Sequence, residues 1–447
     1  MTVSARTLVA ARTLMAFAAA TALAACGHHG GRHRHTPTLG ERVPILASEN
    51  AVDTDRGIAD IQVLLPPAAV NDSWTQSGGN VDKSLGHVAL AADPSRIWST
   101  SIPGTSPKAR LGAAPVVADG TLYVMDVDAR VHAFDATSGE RHWTEEIATG
   151  KRNRGARFGG GVSYDNGKLF ASDGIGDVVA LDAKTGKQLW HVKPGGPMRG
   201  APSVAYGQVY ALTQDNQLYA LSQDDGKVLW NASGSLESQG VFGVAAPSAA
   251  RGTLIAGFSS GELNAFRYEN GRTLWQDTLS RSVTSTSVSS LADVDASPVI
   301  DDNRVYAIGQ GGRMVALELL TGRRVWEENI AGISTPWLAG EWLFVITDDA
   351  KLICLARTSG KIRWISDLGG FTNMKKHKGK QVTWVGPVLA GGRLIALNSE
   401  GQVVNVSPAD GHILSRQKGH ASFSLPPVVA NNTLYLLDDK GKLTVYR

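Results

Sequence analysis

Asp293 and Asp295 stand two residues apart in Ala292-Asp293-Val294-Asp295-Ala296. On an extended segment, side chains two apart project from the same face, so two like charges lie side by side. Such a pair calls for solvent or for an arginine or lysine, and a charge-assisted contact to a partner is the chemistry it suits. A turn pair bonding its own backbone is the plainer reading of the same residues. Two basic groups, Lys151-Arg152-Asn153-Arg154 with Arg157 and Lys375-Lys376-His377-Lys378 with Lys380, read as solvated loop tips open to an acidic partner or lipid headgroups. Four of the eleven histidines fall in the low-complexity run from Gly27 to His35. Such tracts can bind metal, but no fixed spacing or carboxylate accompanies them, so a solvated linker is expected and no metal site. Only two cysteines exist, Cys26 and Cys354. Cys354 alternates with Ile353 and Leu355, which predicts a buried, inert thiol on a strand.

The elements that must position these groups are set by a repeat. A glycine is followed four residues later by a tryptophan at Gly139/Trp143, Gly186/Trp190, Gly226/Trp230, Gly271/Trp275, Gly322/Trp326 and Gly360/Trp364. The seventh pair, Gly411/Ser415, lacks the ring, and Trp98 is a ring with no glycine turn ahead of it. Consecutive glycines lie 38 to 51 residues apart, a period of propeller blades. Within each repeat short alternating runs are broken by turn residues, as in Thr121-Leu122-Tyr123-Val124-Met125, Val131-His132-Ala133-Phe134-Asp135 and Thr137-Ser138-Gly139. Eight first-to-third-strand units begin near residues 115, 161, 202, 247, 298, 336, 387 and 426. The last reaches the C-terminus without a fourth strand, and the orphan run from Arg96 to Ile102 is the missing piece. The expected fold is therefore all-β: an eight-bladed propeller of four-stranded antiparallel blades, closed by an N-terminal strand that completes the last blade. Trp98, Trp143, Trp190, Trp230, Trp275, Trp326 and Trp364 are expected to dock each blade on the next, each contributing ~2–3 kcal/mol of apolar burial. Because the repeats run unbroken, one propeller over 88–447 is expected rather than two or three domains. The formal charge of +3 argues against a dedicated nucleic-acid binder.

Residues 1–25 read as a signal peptide, with Arg6 and Arg12 before the apolar run from Leu14 to Ala25, too short for a permanent span. The run ends Leu23-Ala24-Ala25-Cys26-Gly27, which resembles a bacterial lipobox. That resemblance implies a lipidated Cys26 as the first mature residue. Gly27, where enteric inner-membrane lipoproteins carry aspartate, favours delivery to the outer membrane, facing the periplasm. Residues 26–87 are expected to be a lipidated tether followed, from about 61, by a segment with Val63 and Trp74 running along the propeller surface.

The blade repeat resembles the pyrroloquinoline-quinone-type propeller repeat, best kept from Ala133 to Trp143 and from Ala180 to Trp190. Enzymes bearing it use a quinone, Ca²⁺, a catalytic aspartate and often a vicinal disulfide. This chain has no adjacent cysteines and no compact Glu/Asn/Asp calcium set, so neither a cofactor nor a catalytic residue is expected. The segment Asp293-Val294-Asp295-Ala296-Ser297-Pro298-Val299 is similar to one in the BamB lipoprotein family of the outer-membrane β-barrel assembly machinery. The resemblance implies a non-enzymatic scaffold that binds the periplasmic POTRA domains of the barrel subunit BamA. It also implies that Asp293 and Asp295 carry the contact together with a Leu-x-Leu-Arg-Gly loop. That loop maps to Gln239-Gly240-Val241-Phe242-Gly243, with Gln239, Val241 and Phe242 at the family's leucine, leucine and arginine positions. A quinone-dependent dehydrogenase and a lipoprotein binding a small ligand in its central channel are the alternatives.

Overall fold

A computed structural model describes residues 52–147, 159–236, 245–279, 293–373 and 378–447 of the chain. Eight four-stranded antiparallel sheets dominate it, and they form an eight-bladed β-propeller. In the first blade the strands are Val116–Ala118, Thr121–Met125, Arg130–Asp135 and Arg141–Glu146, hydrogen-bonded in that order. Blades two to seven repeat the pattern over 161–192, 203–233, 248–278, 299–328, 337–367 and 384–418. The eighth takes Val428–Ala430, Thr433–Leu437 and Lys442–Tyr446 from the C-terminus and Arg96–Ser101 from the N-terminal side. Arg96–Ser101 pairs antiparallel with Lys442–Tyr446, so both ends of the ring are sewn into one sheet and no open edge is left there. The connection between blades six and seven carries one further hairpin, Phe371–Asn373 with Lys378–Gln381.

The glycine–tryptophan repeat is the contact between neighbouring blades. A Cβ on Gly139 would lie 2.6 Å from the Trp98 ring, and one on Gly186 would lie 2.7 Å from Trp143. The same holds around the ring down to Gly411 against Trp364. These glycines also have φ between +68° and +76°, so both the backbone and the ring exclude a side chain. Each indole N–H then donates to a carbonyl of the turn it covers, from Ala136 for Trp98 (3.2 Å) to Pro408 for Trp364 (3.0 Å). Ser415 now has a physical reason. It faces the eighth blade, whose third and fourth strands come from opposite ends of the chain and share no turn. With no glycine or turn carbonyl to receive it, a tryptophan there would have no dock.

Every outer strand carries a register shift, beside its tryptophan in all blades but the seventh, where Ser415 takes that place; in blade four it falls between Ala265 and Phe266 opposite Trp275. The bulge twists the outer edge away from straight pairing. Opposite the ring stands a small residue, alanine in blades one to five and Cys354 opposite Trp364. Cys354 is fully buried at that position and burial pushes its thiol strongly upward, away from reactivity.

The segment expected to lie on the surface does so only in part: 61–70 is mostly exposed, while the stretch from 71 to 88 is drawn into the ring. Trp74, Gln76, Lys83 and Val88 are all buried. From Asn71 to Val88 the chain passes the first, innermost strand of every blade in ring order. Asn71 bonds Val429 and Asn431 of blade eight, and Trp74 exchanges two backbone bonds with Val117 of blade one (2.7 and 2.8 Å). Thr75 accepts from Tyr164 in blade two, and the Gln76 amide clasps both backbone groups of Val204 in blade three. Val81 and Asp82 accept from Ala249 and Ile300 in blades four and five. Gly86 accepts from the Trp337 indole in blade six, and Val88 donates to Leu389 in blade seven. Innermost strands are sheet edges with free N–H and C=O groups, and a threaded segment is one way to satisfy them. The boundary expected at 87/88 therefore falls inside the packed hub rather than before it.

Candidate functional site

In each blade the first strand runs toward the face that carries the Thr-Gly turns, and the connections between blades emerge on the opposite face. Asp293 and Asp295 lie on that second face, in the connection leading to Val299–Asp301. Both are buried, at 2% and 8% exposure. The arginine they need comes from within the chain. Arg199, in the connection before Ser203–Ala205, is 1% exposed and donates through Nη2 to Asp293 Oδ1, to Asp295 Oδ1 at 2.9 Å and to the Val294 carbonyl at 3.1 Å. The expectation of a solvent-facing pair meeting a partner's cation is corrected accordingly. An internal arginine and a partner's arginine meet the same need of two adjacent carboxylates, and adjacency in sequence does not distinguish them. The sole hint was a lone arginine in the small-residue stretch Met198-Arg199-Gly200-Ala201.

The segment is tied on every side. Val294 donates to the Phe258 carbonyl (3.2 Å), and its side chain fills the space where Gly257 lacks a Cβ. Asp293 accepts from Gln310 N (2.9 Å). Ser297 receives Ala246 N on its Oγ (3.1 Å) and donates its own N–H to Thr335 Oγ1 (3.1 Å). Connections leading into blades three, four, five and six thus meet at one knot. Burial, reinforced by the Asp293 carboxylate, pushes Asp295 up to about 6 against the pull of Arg199. Arg199 keeps two donors, Nε and Nη1, with no acceptor among the described residues.

Gln239, Val241 and Phe242 lie outside the described residues, as do Cys26, the basic group at 151–157 and Lys375, Lys376 and His377. The segments that run directly into two of the knot's connections, 237–244 before Ala245 and 280–292 before Asp293, are among the undescribed ones. Trp98, Trp143, Trp190, Trp230, Trp275, Trp326 and Trp364 sit at the blade junctions described above, on the outer strands and away from the knot.

The profile of the family described as outer membrane protein assembly factor BamB matches residues 86–156 and 128–366. Among curated relatives, the outer membrane protein assembly factor BamB of Shewanella oneidensis is 27% identical over 360 residues, 79% of this chain and 88% of that one. Its counterpart in Escherichia coli is 28% identical over 358 residues, with the same shares. Among solved structures, BamB from Moraxella catarrhalis superposes with a TM-score of 0.66 at 18% identity, covering 79% of this chain and all of that one. Quinohemoprotein alcohol dehydrogenase from Comamonas testosteroni also reaches 0.66, at 14% identity over 89% of this chain and 82% of that one. At such identities the two structures speak for the propeller fold alone.

Proposed function

This chain belongs to the outer membrane protein assembly factor BamB family, and from that premise we propose that it is a non-enzymatic scaffold assisting assembly of outer-membrane proteins. The relatives carry the name of an assembly factor rather than of an enzyme, and that family match over most of the ring is the observation that carries the reading. The partner is BamA, met through its periplasmic POTRA domains on the face of the inter-blade connections. Cys26 carries the lipid that holds the protein at the periplasmic side of the outer membrane; among the described residues no helix is long and apolar enough to cross a membrane.

On this reading Asp293 and Asp295 act indirectly. Locked to Arg199, they hold the connection whose neighbours, 237–244 with Gln239, Val241 and Phe242, and 280–292, supply the contact itself. Long connections on a rigid ring are where binding usually lives. Capture of purified BamA POTRA domains by the tagged protein tests the assignment. Val241→Ser with Phe242→Ser is expected to lower capture at least tenfold with an unchanged melting temperature. Full capture by that variant would remove the loop from the interface. Asp293→Lys with Asp295→Lys sets two more cations against buried Arg199, so it is expected to lower the melting temperature as well as capture. A Cys26→Ala chain should fold normally and leave the outer-membrane fraction.

A further inference from the structure

Above the threaded segment, on the side of the inter-blade connections, a cavity of about 330 Å³ opens toward the hub of the ring. Its floor is Trp74 and Lys83, its walls include Trp337 and Leu425, and Arg110 stands at the rim. Trp74 and Trp337 stack with ring centroids 6.0 Å apart and planes 17° off parallel. Lys83 is 2% exposed, yet its Nζ makes one hydrogen bond, to the Asn80 carbonyl at 3.1 Å, and no carboxylate among the described residues lies within ion-pair distance. A buried ammonium with two unused donors and no counter-charge is costly. An open apolar cup with few convergent polar groups is the usual form of a small-molecule site.

We propose that this cup binds a small organic anion, a carboxylate whose charge meets Lys83 at the floor and whose apolar body lies against Trp74 and Trp337. Arg110 at the mouth adds attraction for the same sign. Gln310 Oε1, also on the wall and with no donor among the described residues, would accept from a hydroxyl or N–H on the ligand. The cup lies at the hub of the same face that carries the inter-blade connections, with Asp295 and Ser297 on its lining, but ligand binding to it is read without the partner.

Burial holds Lys83 down to about 7, partly offset by Asp82 beside it in the chain. The other charged groups facing the cup are Arg110 and Asp295, the latter engaged by Arg199. At pH 8 the amine is therefore mostly neutral, and an arriving carboxylate draws a proton from solvent onto it. Titration calorimetry of the full chain with 3-phenylpropionate at pH 8, in two buffers of different ionisation enthalpy, reads both affinity and proton uptake. Saturable one-to-one binding with a buffer-dependent heat is expected, and 3-phenylpropionamide, uncharged and of the same shape, should bind at least tenfold more weakly. Lys83→Met should lose at least tenfold in affinity together with the buffer dependence. Thr383→Trp, which narrows the mouth and leaves Lys83 in place, should weaken binding without changing the melting temperature. No saturable binding of the anion, equal binding of the amide, or an unaltered affinity in Lys83→Met would each overturn the proposal.

Discussion

The rim and the hub of this ring are held by opposite means. At the rim one contact is used seven times: an indole laid on a left-handed glycine and bonded to the turn it covers. At the hub nothing repeats. One stretch, 71–88, meets eight inner edges with backbone pairs, a glutamine amide and an indole, each suited to a single blade. A contact between like elements can be copied with the blade, whereas one chain passing eight blades in turn meets a different neighbour at every step. Redundancy belongs to the rim, and the hub has no second copy of anything.

Replacing 71–88 with a Gly/Ser linker of equal length should therefore have the largest effect. It frees eight inner edges and removes Trp74 and Val88, a loss comparable with the ~5–15 kcal/mol that separates a folded from an unfolded domain. Circular dichroism should show no cooperative melt, while the same replacement at 27–50 leaves the melt unchanged. If both variants melt like wild type, the hub segment is dispensable and the contrast with the rim disappears.

A single rim contact should cost less. Trp275→Ala is expected to destabilise by about 3–5 kcal/mol through the cavity it leaves. Gly322→Ala should cost roughly 2–4 kcal/mol, because its methyl would lie 2.5 Å from the same ring at a φ of +70°. Chemical denaturation of the two single variants and the double variant sharpens the point, since a shared contact predicts a double effect well below the sum.

The hub should also carry a pH signature that the rim lacks. Lys83 has a folded pKa of about 7 against 10.5 in the unfolded chain. Between those values the unfolded state holds a proton that the folded state does not, so stability rises with pH, on the order of 1.4 kcal/mol per unit. It is lost as pH falls through about 7. Urea midpoints from pH 6 to 10 should show this rise in the wild type and a flatter profile in Lys83→Met. Equal slopes would mean that Lys83 is solvated rather than buried.

The smallest effect is expected at the seam. Ser415→Trp restores the repeat, yet no turn waits on the eighth blade to receive the ring. Stability should change by less than about 0.5 kcal/mol, the range of ordinary surface substitutions. A gain like that of a docked tryptophan would show that the seam does offer a receptor.

Most of the ring was legible from spacing alone. Alternation, the recurring Gly-to-Trp step and the orphan run from Arg96 predict eight blades and their closure, because each reflects a local rule copied from blade to blade. Trp98 without a glycine turn and Ser415 without a ring even mark the seam. The adjacency of Asp293 and Asp295 likewise calls for solvent or a cation, because two like charges lie side by side. Which cation it is, and where residues 71–88 go, were decided only by tertiary structure. Arg199 lies 94 positions from Asp293, and Trp74 is stacked on a tryptophan more than two hundred and sixty residues away. Such contacts leave no period in the chain. They come from closing the ring, which gathers eight inner edges around one axis and leaves a space that only a segment from outside the repeats is free to fill.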